Sequence, residues 1–461
     1  MPLVSTPPEL KKIAKDIAKS NGRSILVGGA VRDHCMGCRI SKDFDVEIFN
    51  ITPEVLESIL KNFGKIHTVG KSFSVLKLKT SSAEYDFSIP RRESKIGKGH
   101  RGFLVKPDST MSYSEAASRR DFTVNSIGYD LLTETILDPF DGLIDIKHKI
   151  LRHVGPAFSE DPLRVLRAMQ FSARLEFEIA PETIKLCKTL NLAELSKERI
   201  FEEFRKLFLK AKHPSIGLEA AKTLGVLAYF PELTALIGVP QDPTWHPEGD
   251  VWTHTMLVLD EAAGLRKGDE KKDLELMFGA LCHDFGKQLT TKFLRKRWRS
   301  PAHDVCGVAP TEKFLNRLTN DRVLIEQVKI LVKEHLRPIQ LFKERDRINL
   351  GTIRRLALRV RIPELVLLAK ADYLGRTLTV EERKKFDAGD WLLAEVKRMN
   401  VRDEAPRPLL MGRHLLAMGM SPGPKMGKVL HQAFEKQLNG ELQTKGDAIT
   451  WVKSNLSNLS S

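Results

Sequence analysis

A chain of 461 residues, 42% hydrophobic and 29% charged, is too long for one ordinary core and too rich in apolar residues for a disordered tail, so roughly three or four compact units are expected. No run approaches the ~20 uninterrupted apolar residues of a spanning helix, and the opening Met-Pro-Leu-Val-Ser-Thr-Pro-Pro lacks the basic-then-apolar order of a leader; a cytoplasmic protein with no membrane role is the expectation. The 74 Lys and Arg against 59 Asp and Glu, a formal +15 spread along the whole chain, favour a polyanionic partner such as nucleic acid, although ordinary solubility also uses such charge.

Strand signals come first: Ser24–Val27, Phe44–Phe49, Ser74–Leu78, Tyr85–Ile89 and Val124–Leu132, with a crossover helix at Pro53–Asn62. Between Arg91 and Thr110 the density of Lys, Arg and Gly suggests a mobile charged loop beside the sheet. From Glu160 onward Leu163, Leu166, Phe171 and Leu175 recur at helical spacing, and the remaining chain reads as almost entirely α. Proline and glycine breaks at Lys212–Pro214, Gly238–Pro243, Arg337–Pro338, Glu404–Pro408 and Ser421–Gly427 punctuate it. Cys35, Cys38, Cys187, Cys282 and Cys306 suit a reducing compartment, and Cys35-Met-Gly-Cys38 has no second pair with which to build a four-thiolate zinc site.

The most compact chemical signal is Gly28-Gly29-Ala-Val-Arg32-Asp33 followed by Asp43-Phe44-Asp45. Paired glycines after a buried strand turn the chain with backbone N–H groups open to an anion. On the following strand Asp43 and Asp45 share a face while Phe44 and Val46 point the other way, and hard oxygen ligands select Mg²⁺. Asp86, on a neighbouring candidate strand, is a third carboxylate. Two such ions could activate a hydroxyl and hold a leaving pyrophosphate, which is what nucleotidyl transfer requires. Arg119-Arg120-Asp121-Phe122-Thr123-Val124-Asn125 adds cations and amides suited to triphosphate and ribose. Glu160-Asp161-Pro162-Leu163-Arg164-Val165-Leu166-Arg167 opens the first long helix, with Glu160 in the cap region and Asp161 and Arg164 on one helix face. A carboxylate accepts from the exocyclic amino group that cytosine and adenine share, and a guanidinium donates to the adjacent ring acceptor, so such a pair can select C and A without a nucleic-acid template.

These motifs resemble the class II tRNA nucleotidyltransferases, the CCA-adding group of the polymerase-β superfamily. GGxVRD with D-x-D is matched by Gly28–Asp33, Asp43 and Asp45, RRDFT-x-N by Arg119–Asn125, and E-D-x-x-R-x-x-R by Glu160–Arg167, while Lys197-Glu198-Arg199-Ile200 with Glu202, Glu203 and Lys206 is similar to the neck motif. The resemblance implies an α+β fold: a nucleotidyltransferase head with a mixed sheet over residues 1–153, then an all-α neck (154–225), an HD body (226–345) and a tRNA-binding tail (346–461), arranged like a seahorse. It implies addition of C, C and A to tRNA from CTP and ATP, with Asp43, Asp45 and Asp86 catalytic, Asp43 and Asp45 binding Mg²⁺, and Gly28, Gly29, Arg32, Arg119, Arg120, Asp121, Asn125, Asp161, Arg164 and Arg167 binding nucleotide. No stable protein partner is implied. This chain departs from the family in having Gln170 where another Arg is common and Ala116 where an acid precedes the double arginine. The Arg91 loop favours CCA over CC addition, and Gly70-Lys71-Ser72-Phe73 in place of G-R-R-F argues against a poly(A) polymerase, the other readings being a CC-adding enzyme or an HD hydrolase acting on RNA ends.

A second constellation, Trp252-Thr253-His254, Cys282-His283-Asp284-Phe285-Gly286-Lys287 and Ala371-Asp372-Tyr373, gathers ligands suited to a divalent metal that activates water on a phosphate ester. It resembles the HD metal phosphohydrolases. That likeness implies His254, His283, Asp284 and Asp372 as ligands of a divalent transition metal, His303 and His335 as further ligands or phosphate contacts, and 2′,3′-cyclic phosphodiesterase or phosphatase activity.

Overall fold

Arg23–Val27 is buried at four of its five positions and becomes a strand, β1, near the middle of the head sheet of the computed structural model, which describes residues 4, 6–38, 43–69, 75–80, 83–95, 103–399 and 406–459. Its companions are β2 (Asp43–Phe49), β3 (Lys65–Val69), β4 (Val75–Lys79) and β5 (Glu84–Ser88), then β8 (Gly128–Asp130) and β9 (Ile136–Leu137), in the order β3-β4-β5-β2-β1-β8-β9. Among the described residues of this sheet, only the β2 and β5 pair is parallel. The sheet is therefore mixed, as expected of an α+β head.

Alternation along the strands gives the sheet two different faces. Leu26, Val46, Ile48, Leu76, Leu78, Tyr85 and Phe87 point into one apolar core, closed by the helices Pro8–Lys19 and Pro53–Leu60 through Leu10, Ile13, Ile17, Leu56 and Leu60. The opposite face carries Ile25, Val27 and Phe49 against Tyr113 and Ala117, and leaves Asp45 exposed. A one-residue slip in β2 would bury Asp45 and expose Val46, which is why the burial pattern pins the register.

Three sequence expectations change here. Arg91–Thr110 is not simply a loop: β6 (Arg91–Lys95) and β7 (Phe103–Pro107) pair antiparallel, Arg91 opposite Pro107 and Lys95 opposite Phe103, with residues 96–102 outside the described residues. The first arm, Arg91-Arg-Glu-Ser-Lys95, has no apolar residue, so no strand period marks it in the sequence. Within Val124–Leu132 the strand covers only Gly128–Asp130, because Thr123–Asn125 is a turn of 3₁₀ helix. The α-rich remainder also contains strands: β10 (Ile150–Leu151) pairs with β11 (Glu178–Ile179), and β12 (Lys292–Leu294) with β13 (Arg297–Arg299). The Gly70–Phe73 element lies outside the described residues.

The chain forms two compact units, residues 1–207 with 216–229 and residues 208–215 with 230–461. The second is helical apart from the β12–β13 hairpin. Its centre is built by the helices Val251–Gly264, Glu270–Cys282, Arg322–Glu334 and Ile362–Leu374. Among the described residues no helix is long and apolar enough to cross a membrane.

Candidate active sites

In the head, register aligns the chemistry into one row across the sheet. Val27 on β1 pairs with Asp45 on β2, Asp45 with Asp86 on β5, and Asp86 with Lys77 on β4. Neighbouring strands lie about 4.8 Å apart, so Asp45 and Asp86 present adjacent carboxylates on one face. The Asp43 backbone pairs with Glu84, and its side chain lies outside the described residues. Lys77 Nζ lies 2.8 Å from Asp86 Oδ2. Gly28, at φ 74°, stands at the end of β1 in a conformation that favours glycine, and a Cβ there would meet Asp45 Oδ2 at 3.5 Å and Arg120 Nη1 at 3.8 Å. The turn, a carboxylate and a guanidinium thus converge. Side-by-side carboxylate oxygens with a glycine turn beside them fit a hard divalent cation.

The arginines are held by a continuous network. Arg32, buried on the short helix Gly29–Cys35, donates to Asn125 Oδ1 at 2.7 Å and from Nε to Asp33 Oδ1 at 2.9 Å. Asn125 Nδ2 donates to Asp121 Oδ1 at 3.0 Å, and Asp121 Oδ2 accepts from Arg167 Nε at 2.7 Å. Burial opposes ionisation of Asp121, but Arg167 and the Asn125 amide outweigh it and hold the carboxyl below its usual range. The Arg32 and Arg167 guanidinium carbons sit 5.3 and 5.1 Å from the Phe171 ring centre. Arg120 is anchored separately, Nη2 to Glu47 Oε1 at 2.8 Å, and Arg119 donates to the Arg91 carbonyl.

Asp161 and Arg164 are not side by side on a helix. The helix starts at Leu163, after the 3₁₀ turn Pro156–Glu160, so Glu160 does not cap it. Asp161 is extended at φ −125° and ψ 102°, because the Pro162 ring disfavours helical geometry in the residue before it. Its carboxylate accepts from Leu163 N at 3.1 Å and Arg199 Nη2 at 2.7 Å. Arg164 donates to the carbonyls of Ala157 at 2.7 Å and Arg119 at 2.6 Å.

In the second unit, His254, His283, Asp284 and Asp372 meet with almost no exposure. His254 Nε2 lies 3.1 Å from Asp372 Oδ1, His283 Nε2 3.2 Å from Asp284 Oδ2, and His303 Nε2 3.4 Å from Asp284 Oδ1. The Nδ1 atoms of His283, His303 and His335 engage the carbonyls of Ala280, Ser300 and Val332 at 2.8, 2.8 and 2.6 Å, which directs each Nε2 inward. His254 differs: its Nδ1 meets Glu248 Oε1 at 2.9 Å. Buried His283 Nε2, His335 Nε2 and both Asp284 oxygens have charged neighbours yet make no hydrogen bond. Such orphaned imidazole nitrogens and carboxylate oxygens fit a divalent cation.

Charge within this cluster suits ligation. Burial would raise the Asp284 carboxyl, but His283 and Lys287 hold it well below the usual range, and Arg376 with His254 does the same for Asp372 against burial. Burial, then repulsion from His303 and His283, pushes His335 down to about 4, so it is a neutral donor at neutral pH.

Known proteins match both units. A family described as the poly A polymerase head domain matches residues 24–152, one described as a probable RNA and SrmB-binding site of polymerase A matches 176–237, and the HD domain matches 251–377. A multifunctional CCA protein of Xylella fastidiosa is 39% identical over 366 residues, covering 77% of this chain and 84% of that protein. The chain belongs to the multifunctional CCA protein family. A member from Xanthomonas oryzae pv. oryzae is 36% identical over 423 residues, covering 88% and 96%. The fold is also that of a Bacillus stearothermophilus CCA-adding enzyme solved with CTP, at a TM-score of 0.68 and 20% identity over 98% of this chain and all of that one, and of a Thermotoga maritima CCA-adding enzyme solved with tRNA, at 0.58 and 18% over 98% and 96%.

Beside this family's motifs stand site neighbours that escaped the sequence reading. Glu47 is two residues beyond Asp45 on the same strand face, and that periodicity could have found it. Lys77 lies on the exposed face of β4 opposite Asp86. Glu248 and His246 bond each other at 2.9 Å beside His254, from a loop without periodic signal. Gln170, the departure from the family's usual Arg, is buried on the Leu163–Leu175 helix with its amide nitrogen unpartnered, so that change falls inside packed protein.

Proposed function

We propose that this protein adds C, C and A to the 3′ end of tRNA from CTP and ATP, without a nucleic-acid template, at the exposed face of the head sheet. The observation that carries the reading is the row of Asp45 and Asp86 beside the Gly28 turn and Arg120. Asp43, Asp45 and Asp86 would hold Mg²⁺, which when bound activates the 3′ hydroxyl and neutralises the leaving pyrophosphate. Gly28 and Gly29 let the backbone approach the triphosphate. Arg32, fixed by Asp33 and Asn125, Arg120, fixed by Glu47, and Arg119 and Arg167 orient its anionic oxygens. Asp121 and Asn125 keep those cations in place. Asp161 and Arg164 read the base by exchanging their partners, Arg199 and two carbonyls, for the amino and ring nitrogen of C or A.

We divide the chain functionally into head (1–153), neck (154–225), HD body (226–345) and tail (346–461), and place it in the cytoplasm with tRNA. This reaction requires no stable protein partner. The test supplies tRNA ending before its CCA, with labelled CTP and ATP given separately and together, and sequences the products. CCA ends that disappear with Asp45→Ala support the reading; ends of CC alone, long A tracts, or undiminished addition by the variant contradict it.

A second reading concerns the body. The orphaned His and Asp atoms favour a divalent transition metal held by His254, His283, Asp284 and Asp372, with His303 and His335 within reach, serving hydrolysis of phosphate esters such as 2′,3′-cyclic phosphates. Opening of a 2′,3′-cyclic phosphate to its monoester, or release of phosphate from a monoester, that vanishes in His283→Ala while CTP addition persists distinguishes it.

A further inference from the structure

Between two residues of the His–Asp cluster the chain makes an excursion that packing does not explain. Lys287 Nζ stands 2.7 Å from Asp284 Oδ2, and His303 Nε2 3.4 Å from Asp284 Oδ1. From these two anchors β12 and β13 form a hairpin, in which Lys292 pairs with Arg299, Phe293 with Trp298 and Leu294 with Arg297. At its base the Thr291 and Ser300 hydroxyls bond at 2.8 Å, and the Ser300 carbonyl meets His303 Nδ1 at 2.8 Å. All six strand residues are exposed. A two-stranded ribbon bare on both faces gains little from burial, so its side chains need another reason to be there.

Their chemistry is specific. Phe293 and Trp298, 60% and 37% exposed, meet edge to face with ring centres 5.2 Å apart. Lys292, Arg295, Lys296, Arg297 and Arg299 surround them, and no acidic residue occurs between Lys287 and Ala302. The two tip residues, Arg295 and Lys296, have φ of 51° and 60°, a geometry that Asn-Gly adopts with less strain. The turn therefore keeps cations where the backbone favours other residues. Exposed aromatics on one face of a cationic ribbon are the elements that hold single-stranded nucleic acid: rings stack on bases, which are apolar on their faces, and cations track the phosphates.

We propose that the Lys292–Arg299 hairpin grips the single-stranded 3′ end of an RNA and holds its terminal phosphate at the His–Asp cluster. Phe293 and Trp298 receive the last bases, and the tip cations meet the backbone. This deepens the phosphohydrolase reading and rests on it for its purpose, while the grip itself is measured by binding. It makes an RNA end, rather than a free mononucleotide, the preferred substrate class of the body.

The test uses the full chain and a fluorescent, 3′-phosphorylated oligoribonucleotide, followed by anisotropy across a salt series. The paired substitutions Phe293→Ala and Trp298→Ala are expected to weaken binding about 30-fold or more with an unchanged thermal midpoint, while Phe293→Tyr with Trp298→Tyr retains it. Neutralising Arg295, Lys296 and Arg297 to Ala should flatten the salt dependence by about 0.7 in log–log slope for each phosphate that is no longer neutralised. Binding of the alanine pair within twofold of the parent, or an equal loss on blunt duplex RNA, overturns the proposal. If the parent neither releases phosphate from this probe nor opens the 2′,3′-cyclic phosphate of the same oligoribonucleotide, the phosphohydrolase reading fails, and the anisotropy result still decides the grip.

Discussion

In the head, Asp45 is exposed, Asp86 is half-covered and paired with Lys77, and the arginines are tied to Asn125, Asp121 and Glu47. In the body, the His–Asp cluster is buried and keeps orphaned atoms. The first site sets fixed cations beside carboxylates on an open face, as the proposed nucleotide addition requires. The second holds its donors away from solvent, with Lys287 and Arg376 beside the Asp284 and Asp372 carboxylates, and leaves the His283 and His335 Nε2 atoms without a hydrogen bond. One chain thus contains an open, cation-lined face and a buried His–Asp cluster whose donor set fits a divalent metal.

That contrast can be broken most sharply at Asp45. Asp45→Ala should lower CTP incorporation by about a thousandfold, since each metal contact supplies several kcal/mol, and should change stability by less than about 0.5 kcal/mol, as expected of an exposed residue. A loss smaller than tenfold removes Asp45 from the reaction. The body should behave in the opposite way: adding a divalent transition metal at a hundredfold excess over its dissociation constant should stabilise the folded state by about 2.7 kcal/mol, read as a rise in thermal midpoint that chelator reverses and His283→Ala abolishes. The same midpoint with and without metal would leave the orphaned atoms unexplained.

Acid sharpens the comparison further. The Asp121 carboxyl is held below its unfolded value, so its stabilising contribution is complete above about pH 4 and disappears as pH falls through the folded value. Asp121→Asn should therefore flatten the acid limb of the stability curve and, by loosening Arg167 and Asn125, raise KM for CTP more than it lowers kcat. An acid limb identical to the parent's contradicts this. The smallest effect is expected at Lys77→Met, which removes a largely exposed ion pair worth less than about 1 kcal/mol. Freed from its cation, Asp86 should bind Mg²⁺ a few-fold more tightly, read as a lower half-saturating concentration for CTP addition; an unchanged or higher value separates Lys77 from the metal site.

Much of this was legible residue by residue. Alternation in Phe44–Phe49 gave a strand with Asp45 on the open face, because burial has a period of two in a strand. The Arg91–Pro107 hairpin was hidden because Arg91-Arg-Glu-Ser-Lys95 carries no apolar residue, and the Lys292–Arg299 hairpin because its strands are exposed throughout, so charge density read as loop or helix surface. The Asp161 and Arg164 spacing misled for another reason: helical spacing holds only inside the helix, and Pro162 places Asp161 before it.

The sequence by itself determined the chemical inventory and its family: the glycine turn, the carboxylates, the double arginine and the His–Asp set are local and survive without a fold. Only tertiary structure decided which of them meet. Strand order set Asp86, reached through two intervening strands, next to Asp45 and opposite Lys77, and helix packing closed His254, His283, Asp284 and Asp372 into a buried cluster in which His283 Nε2 and the Asp284 oxygens make no hydrogen bond. Register and burial are properties of elements packed against one another, and no local spacing along the chain contains them.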